Sequence, residues 1–263
     1  MKMTLLEYVQ DILNDMDSDE VNSIQDTVES EQVAQIVKST FYAMMSDRNW
    51  PHTKKTIILD ASGESAKPTH MKLPDNVKEL ISVHYNCAKD GETRRRYRDM
   101  RWMETDTYLR KQNGLNTDSA EVDIILDYSG VELAIRSNSA PTGYTSFDDK
   151  HLVFDSYDSE VDDTLKSSKI QALAYVTPDW THEDTFIPDL PEEAVTALLE
   201  AAKGRAMFKL KQMVDITASR EEQKQNRWLS RKSWRVNGGI RYPNYGRGRG
   251  RSINNSINYE RDI

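Results

Sequence analysis

Arginines set among aromatic residues and glycines are the side chains in this sequence best equipped to grip a partner. Arg231, Lys232 and Arg235 flank Trp234, and Arg241, Tyr242, Tyr245, Arg247, Arg249 and Arg251 follow with glycines at 238, 239, 246, 248 and 250. A guanidinium presents a planar fork of donors that matches carboxylates and phosphates and also stacks on rings. Trp, Tyr and Arg are the residue types enriched at binding hot spots. Two partners fit this chemistry. One is nucleic acid, held by charge and stacking; the other is an acidic protein groove, on which such an arm orders as it binds. Residues 230–263 carry eight Lys/Arg against Glu260 and Asp262, whereas the other residues carry 27 against 41 Asp/Glu. The net charge of −8 therefore divides into about −14 and +6. An acidic body argues against a dedicated DNA reader, which needs a basic face.

A second cluster, Arg94, Arg95, Arg96, Arg98 and Arg101 beside Tyr97 and Trp102, suits phosphate or, at least equally, ion pairs with a neighbouring subunit. Asp155, Asp158, Glu160, Asp162 and Asp163 read as a solvated acidic loop and a source of negative potential. Asp15-Met16-Asp17-Ser18-Asp19 opens like a calcium loop, but Glu20 stands where the turn needs Gly and Asp26 where it needs Glu. A polar interhelical turn is the plainer reading. His52, His70, His84, His151 and His182 are scattered without HxxxH or HExxH spacing. There is no GxSxG, GxxxxGK[ST], GxGxxG after a strand, or CxxC. The expectation is a non-enzyme with no cofactor and no metal. A hydrolase using paired carboxylates from the acidic loops is the weakest rival. Cys87, the only cysteine, excludes an internal disulfide, fits a reducing compartment, and reads as a half-buried strand-end residue rather than a nucleophile.

The elements behind these residues follow from periodicity. The chain has 263 residues, 37% hydrophobic and 30% charged, enough for a real core whose burial is completed against partner subunits. Thr4 and Glu7 form a capping box ahead of Leu5, Leu6, Val9, Ile12, Leu13 and Met16, predicting a helix over 4–16. A second helix is expected over 29–46, ended by Trp50-Pro51. Strands are expected at 56–59, 80–85, 122–128, 131–137, 151–157 and 170–176, with a hairpin turn at Asp127–Gly130 and a helix over 100–112. Pro178, Pro188 and Pro191 punctuate an extended link over 177–191. The apolar stripe from Val195 to Thr217 then gives way to SREEQKQNR at 219–227. As one helix, 191–229 would span about 58 Å, and its polar end would either fray or, the reading preferred, project and pack against another subunit through Glu221, Glu222, Lys224 and Arg227.

The fold expected is α+β: a helical bundle from the N- and C-terminal helices, an inserted β-rich lobe and an extended C-terminal arm. Its domains would be an N-terminal helical segment (1–50), the β-rich lobe (54–176), the long helix that completes the helical domain (191–229) and the arm (230–263). No apolar run approaches the ~20 residues that cross a bilayer. MKMTLLEYVQDIL lacks the apolar core and cleavage site of a secretory signal. No membrane partner is expected.

TLLEYVQDILNDMDSDEVNSI at 4–24, the helix closed by Arg48-Asn49-Trp50, Leu73-Pro74 before a strand, and ALLEAAKGRAMFKLKQM followed by RKSWRVNGG carry a resemblance. The chain resembles the head-to-tail adaptors of short-tailed bacteriophages (tail tubular protein A, also called gatekeeper or neck protein). The motifs cover the two ends well and the middle poorly, and the β lobe looks enlarged. The resemblance implies a homo-oligomer, commonly a dodecameric ring, made in the bacterial host cytoplasm and placed at the head–tail junction of the virion. It implies that the arm reaches the portal protein, that the lower face receives the tail nozzle protein, and that the lumen conducts double-stranded DNA without specific binding. Repulsion of phosphates by lumen carboxylates would ease passage. On this reading Arg231, Lys232, Trp234, Arg235, Arg241, Tyr242, Tyr245, Arg247, Arg249 and Arg251 bind the portal. Arg94, Arg95 and Arg96 join Glu221, Glu222, Lys224 and Arg227 as subunit contacts. The alternative is a nucleic-acid-binding protein using the Arg/Gly/aromatic tail.

Overall fold

A capping box starts the chain's first helix. The Thr4 N–H donates to Glu7 Oε2 at 2.7 Å and the Glu7 N–H donates back to Thr4 Oγ1 at 3.3 Å, pairing two otherwise orphan donors. Helix α1, Leu5–Asp15, buries Leu5, Tyr8, Val9, Ile12 and Leu13 on one face. Helix α2, Val28–Asp47, is capped by Thr27 and Ser30 and buries Val33, Ile36, Val37 and Phe41. In this computed structural model, residues 2–89 and 92–235 are described, with side chains to Ser230.

Ten strands and one helix follow: β1 Lys54–Ile57, β2 Asp60–Ala61, β3 His70–Lys72, β4 Val77–Asn86, β5 Tyr97–Trp102, α3 Thr105–Asn113, β6 Val122–Leu126, β7 Glu132–Arg136, β8 Gly143–Thr145, β9 His151–Phe154 and β10 Ile170–Val176. Eight of them form one sheet in the order β1-β10-β4-β5-β8-β9-β3-β2, and β6 and β7 form a separate hairpin. Every pairing in the sheet is antiparallel except β5 with β8, which run parallel through Arg101↔Gly143 and Trp102↔Tyr144.

This corrects the expected architecture. The described residues form mostly a large curled mixed sheet of eight strands with five α-helices, not a helical bundle carrying an inserted lobe. The difference turns on Tyr97–Trp102. The helix expected over 100–112 takes in the end of this strand, whereas the helix begins only at Thr105. In YRDMRW only Met100 is buried, so no period-2 stripe announces a strand. Yet β5 welds β1-β10-β4 to β8-β9-β3-β2, turning separate strands into one sheet. Strands β2, β3 and β8, two or three residues each, are too short to show a period at all.

The second correction concerns residues 191–229, which do not form one helix. Helix α4 is Glu192–Lys211 and helix α5 is Ile216–Arg235. Between them Gln212 takes the left-handed conformation at φ 57, and the Met213 N–H reaches back to the Met207 carbonyl at 3.2 Å, the geometry of a helix C-terminal cap. Asp215 then starts α5 by accepting from the Thr217 and Ala218 N–H groups at 2.9 and 3.0 Å. Helix α5 doubles back on α4: Ala218 is buried against Gly204, and Leu229 is 3% exposed within the core of α1, α2 and α4. The polar run 219–227 thus lies along the body rather than projecting from it.

The link over 177–191 does more than connect. Trp180 packs at 5.2 Å from Phe41 and 4.8 Å from Phe186, ring centre to ring centre, and Asp184 accepts from the Ile24 N–H at 2.8 Å. A second core, under the curled sheet, holds Leu59, Met71, Val83, Tyr108, Leu133, Ile135, Val153 and Phe154. Lys78 on β4 ties the sheet to the helices. Its ammonium donates to the carbonyls of Met45, Ser46 and Arg48, each at 3.0 Å, where α2 leaves unpaired acceptors and negative dipole charge.

Candidate interaction sites

The arm's root is clamped. Arg48, at the end of α2, donates through Nη1 to Ser230 Oγ at 2.6 Å and to the Asn226 carbonyl at 3.4 Å. Its guanidinium sits 5.4 Å from the Trp50 ring centre and pairs with Asp47 at 2.8 Å. Trp50 is itself fixed by donating Nε1–H to the Met44 carbonyl at 2.9 Å. With Leu229 buried beside them, the last turns of α5 are held to the body at Asn226, Leu229 and Ser230. Arg231, Lys232, Trp234 and Arg235 continue α5 as helix. Arg241, Tyr242, Tyr245, Arg247, Arg249 and Arg251 lie outside the described residues.

The other predicted subunit contacts are placed unevenly. Glu221 accepts from Gln225 at 2.8 Å and from Lys224 at 3.2 Å, and these bonds, Gln225 first, hold its carboxyl below the usual range. Glu222 lines a groove of about 240 Å³ with Thr40, Asp47, Arg205 and Asn226. Both are half-buried within their own chain. Lys224 is exposed and pairs with Glu221.

The arginine row spreads along β5 and the segment before it. Arg94, Arg95 and Arg96 are exposed, and Arg96 pairs with Glu92 at 3.4 Å. Arg98 and Arg101 line a groove of about 490 Å³ with Asp99, Trp102, Met103, Lys111 and Thr142. Trp102 is 53% exposed, yet its ring is propped edge-on by Tyr144 at 5.4 Å and 70°. The strands approach closely here because residue 143 is glycine. A Cβ there would lie 2.6 Å from Met103 Cε and 2.8 Å from the Arg101 carbonyl oxygen.

Sequence reasoning missed two buried polar centres. The acidic run is not a solvated loop throughout. Asp155 is 4% exposed, accepts from the Thr142 and Gly143 N–H groups at 2.8 and 3.0 Å, and receives the Lys111 ammonium and Thr142 hydroxyl. Burial raises its carboxyl, but these donors outweigh that and hold it below its ordinary range. Asp162 is bridged by Lys166 and Lys169; Glu160 is exposed, as expected of a loop. The second centre gathers histidines that the sequence scatters. His70 Nε2 lies 2.9 Å from Asp127 Oδ1, and Asp127 Oδ2 accepts from the Ser129 N–H at 2.9 Å. Tyr128, next to Asp127, meets His70 edge-on at 5.5 Å and stacks on His151 at 4.2 Å, with Lys67 Nζ 3.4 Å from its ring centre. His151 in turn contacts Asp148 at 2.6 Å. His70 is sealed at 1% exposure, so the arrangement pins the β6–β7 turn onto β3 and β9 rather than opening to a substrate.

The calcium-like segment is spent on turns and ion pairs. Asp15 binds Lys203, Ser18 Oγ donates to Glu29 at 3.0 Å, and Asp26 accepts from the Asn22 and Ser23 N–H groups at 2.7 and 2.8 Å. Asp19 and Glu20 join Glu7 and Asp11 around a cleft of about 650 Å³ on α1. Among the described residues no group of three or more His, Cys, Asp or Glu is arranged to hold a metal ion, and no helix is long and apolar enough to cross a membrane. Cys87 is half-buried just past β4, its thiol pushed up by burial and donating to the Tyr85 carbonyl at 3.6 Å. No protein-family model matches the sequence, and no curated protein matches it.

Proposed function

We infer that the chain is a structural connector: one copy of an adaptor ring joining a portal to a tail nozzle at a virion's head–tail junction, with double-stranded DNA running through the lumen. The observation that carries this reading is the clamped root of the basic arm. Arg48, Trp50 and buried Leu229 fix α5 to the helical core just ahead of Arg231, where the cationic segment begins in the sequence. An arm that docks a heavy partner must pass its load to a folded body, and a root held at several points does so. The charge split supports the same reading, since a body of about −14 repels a passing phosphate backbone while an arm of about +6 seeks carboxylates. Many weak arms acting together in a ring give avidity that one arm lacks.

Removal of residues 236–263, leaving α5 whole, tests it. Full-length protein is expected to co-sediment with the portal ring of the parent virion and the truncated protein to stay free, with unchanged helicity and melting. Attachment that survives truncation overturns docking by residues 236–263 and leaves it to Arg231, Lys232, Trp234 and Arg235 at most. The tail's charge also favours a second reading, nucleic-acid binding by the arm. That reading requires the isolated arm to bind DNA or RNA with an affinity that falls steeply with salt.

A further inference from the structure

The groove on β5 joins two features seldom left open on an acidic protein. Arg98 and Arg101 have no carboxylate partner among the described residues, although the whole chain carries a net charge of −8. Trp102 presents an exposed indole in the same groove, immobilised from beneath by Tyr144 and along its backbone by the parallel pairing with β8. The third cation, Lys111, is already committed to Asp155. The one carboxylate in the groove, Asp99, leans toward His84 at 3.8 Å.

We propose that this groove binds single-stranded nucleic acid, one base stacking on Trp102 while the flanking phosphates bind Arg98 and Arg101. A guanidinium matches a phosphate with paired donors, and an exposed aromatic platform accepts any base by its π-face. The volume of about 490 Å³ suits a single nucleotide unit. Arg94 and Arg95, exposed and equally without a carboxylate partner among the described residues, precede β5 on the same stretch of chain and add positive charge for further phosphates, which favours a strand over a free mononucleotide. Duplex DNA can offer phosphates but keeps its bases stacked on one another, so it cannot use the indole. An acidic peptide could use the arginines but gains little from Trp102. The site is built from residues of the folded body rather than from the sequence of the basic arm, and stands independently of the connector reading.

The test measures fluorescence anisotropy of a labelled oligothymidylate of about 15 nucleotides with the full-length protein, across a salt series. Trp102→Ala is expected to weaken binding about tenfold and Trp102→Phe to restore most of it. The Arg98→Ala/Arg101→Ala protein is expected to lower the slope of log K against log salt by about 1.4, at ~0.7 for each phosphate left unneutralised. Both sites are exposed, and unchanged melting of each variant separates lost binding from lost folding. Several results overturn the proposal: equal binding of a duplex of the same length, indifference to Trp102→Ala, or competition by polyglutamate as effective as by unlabelled strand. Binding abolished only by deleting 236–263 reassigns it to the arm. Competition by adenosine monophosphate at equal nucleotide concentration overturns the strand in favour of a free nucleotide.

Discussion

His70 shows what the fold asks of one side chain. Burial pushes its imidazole below the ordinary value of 6.5, against the pull of Asp127. Burial would raise the Asp127 carboxyl, but Ser129 and His70 donate enough to hold it down. The pair therefore stands as a neutral imidazole whose Nε2–H serves an ionised carboxylate. A lowered folded pKa means that the unfolded chain binds the proton more readily. The His70 contribution is thus complete above pH about 6.5 and is lost as pH falls below it, while that of Asp127 persists until pH drops below about 3.8. Urea unfolding at pH 7.5 and 5 should show a loss of stability in the wild type that His70→Gln reduces, the remainder falling to His52, whose imidazole burial also pushes down. An identical pH dependence in the variant would show that His70 takes up its proton as readily in the folded chain as in the unfolded one, so that burial does not lower its pKa. None of this is legible in the sequence, where His70 and Asp127 are 57 positions apart. Asp155 is hidden for the same reason: a carboxylate in an acidic run looks solvated until Lys111, 44 positions away, is seen beside it. Cys87 is legible because its neighbours in VKELISVHYNC alone place it at a strand end.

Elements with local signals are readable, and those that depend on distant partners are not. The Thr4 box, the Asp127–Gly130 turn and the strand 170–176 all declare themselves within a few residues and all form. The α4–α5 break is hidden because its left-handed residue is Gln212, where a glycine would have marked a stop. Left-handed backbone costs a side-chain-bearing residue about 1 kcal/mol or more, so Gln212→Gly should raise stability by about 0.5–1 kcal/mol in chemical denaturation. A loss instead would mean that the Gln212 side chain makes stabilising contacts of its own. Strand β5 is hidden because its apolar residues do not alternate, and its partners on β8 lie 42 residues further on. Their seam has no room for a methyl group. Gly143→Ala should cost roughly 1–3 kcal/mol through the clash with Met103 and the Arg101 carbonyl, readable as a lowered Tm.

For the whole molecule, the question is what couples its two cores. Lys78 reaches from the sheet to three carbonyls at the end of α2, and Asn49 and Lys55 add bonds to Glu79 and Asp189. Lys78→Met keeps the aliphatic stem and removes those donors. It should lower stability by about 1–2 kcal/mol and reduce the denaturant slope, because helices and sheet would unfold less cooperatively. An unchanged slope would locate the coupling in the 177–191 link, with Trp180 and Phe186 at its centre. The sheet's edge strand carries a consequence in time. Among the described residues β1 pairs only with β10, Lys54 opposite Tyr175 and Ile57 opposite Ala172. During synthesis at ~5–20 residues per second, β1 emerges some 120 residues ahead of its partner, roughly 6–24 s. Throughout that wait it is a strand without a neighbour, in a cell crowded with other nascent strands. Two consecutive lysines at its start, Lys54 and Lys55, give any chance partner a charge to bury, and so keep the place open until the chain's own β10 arrives.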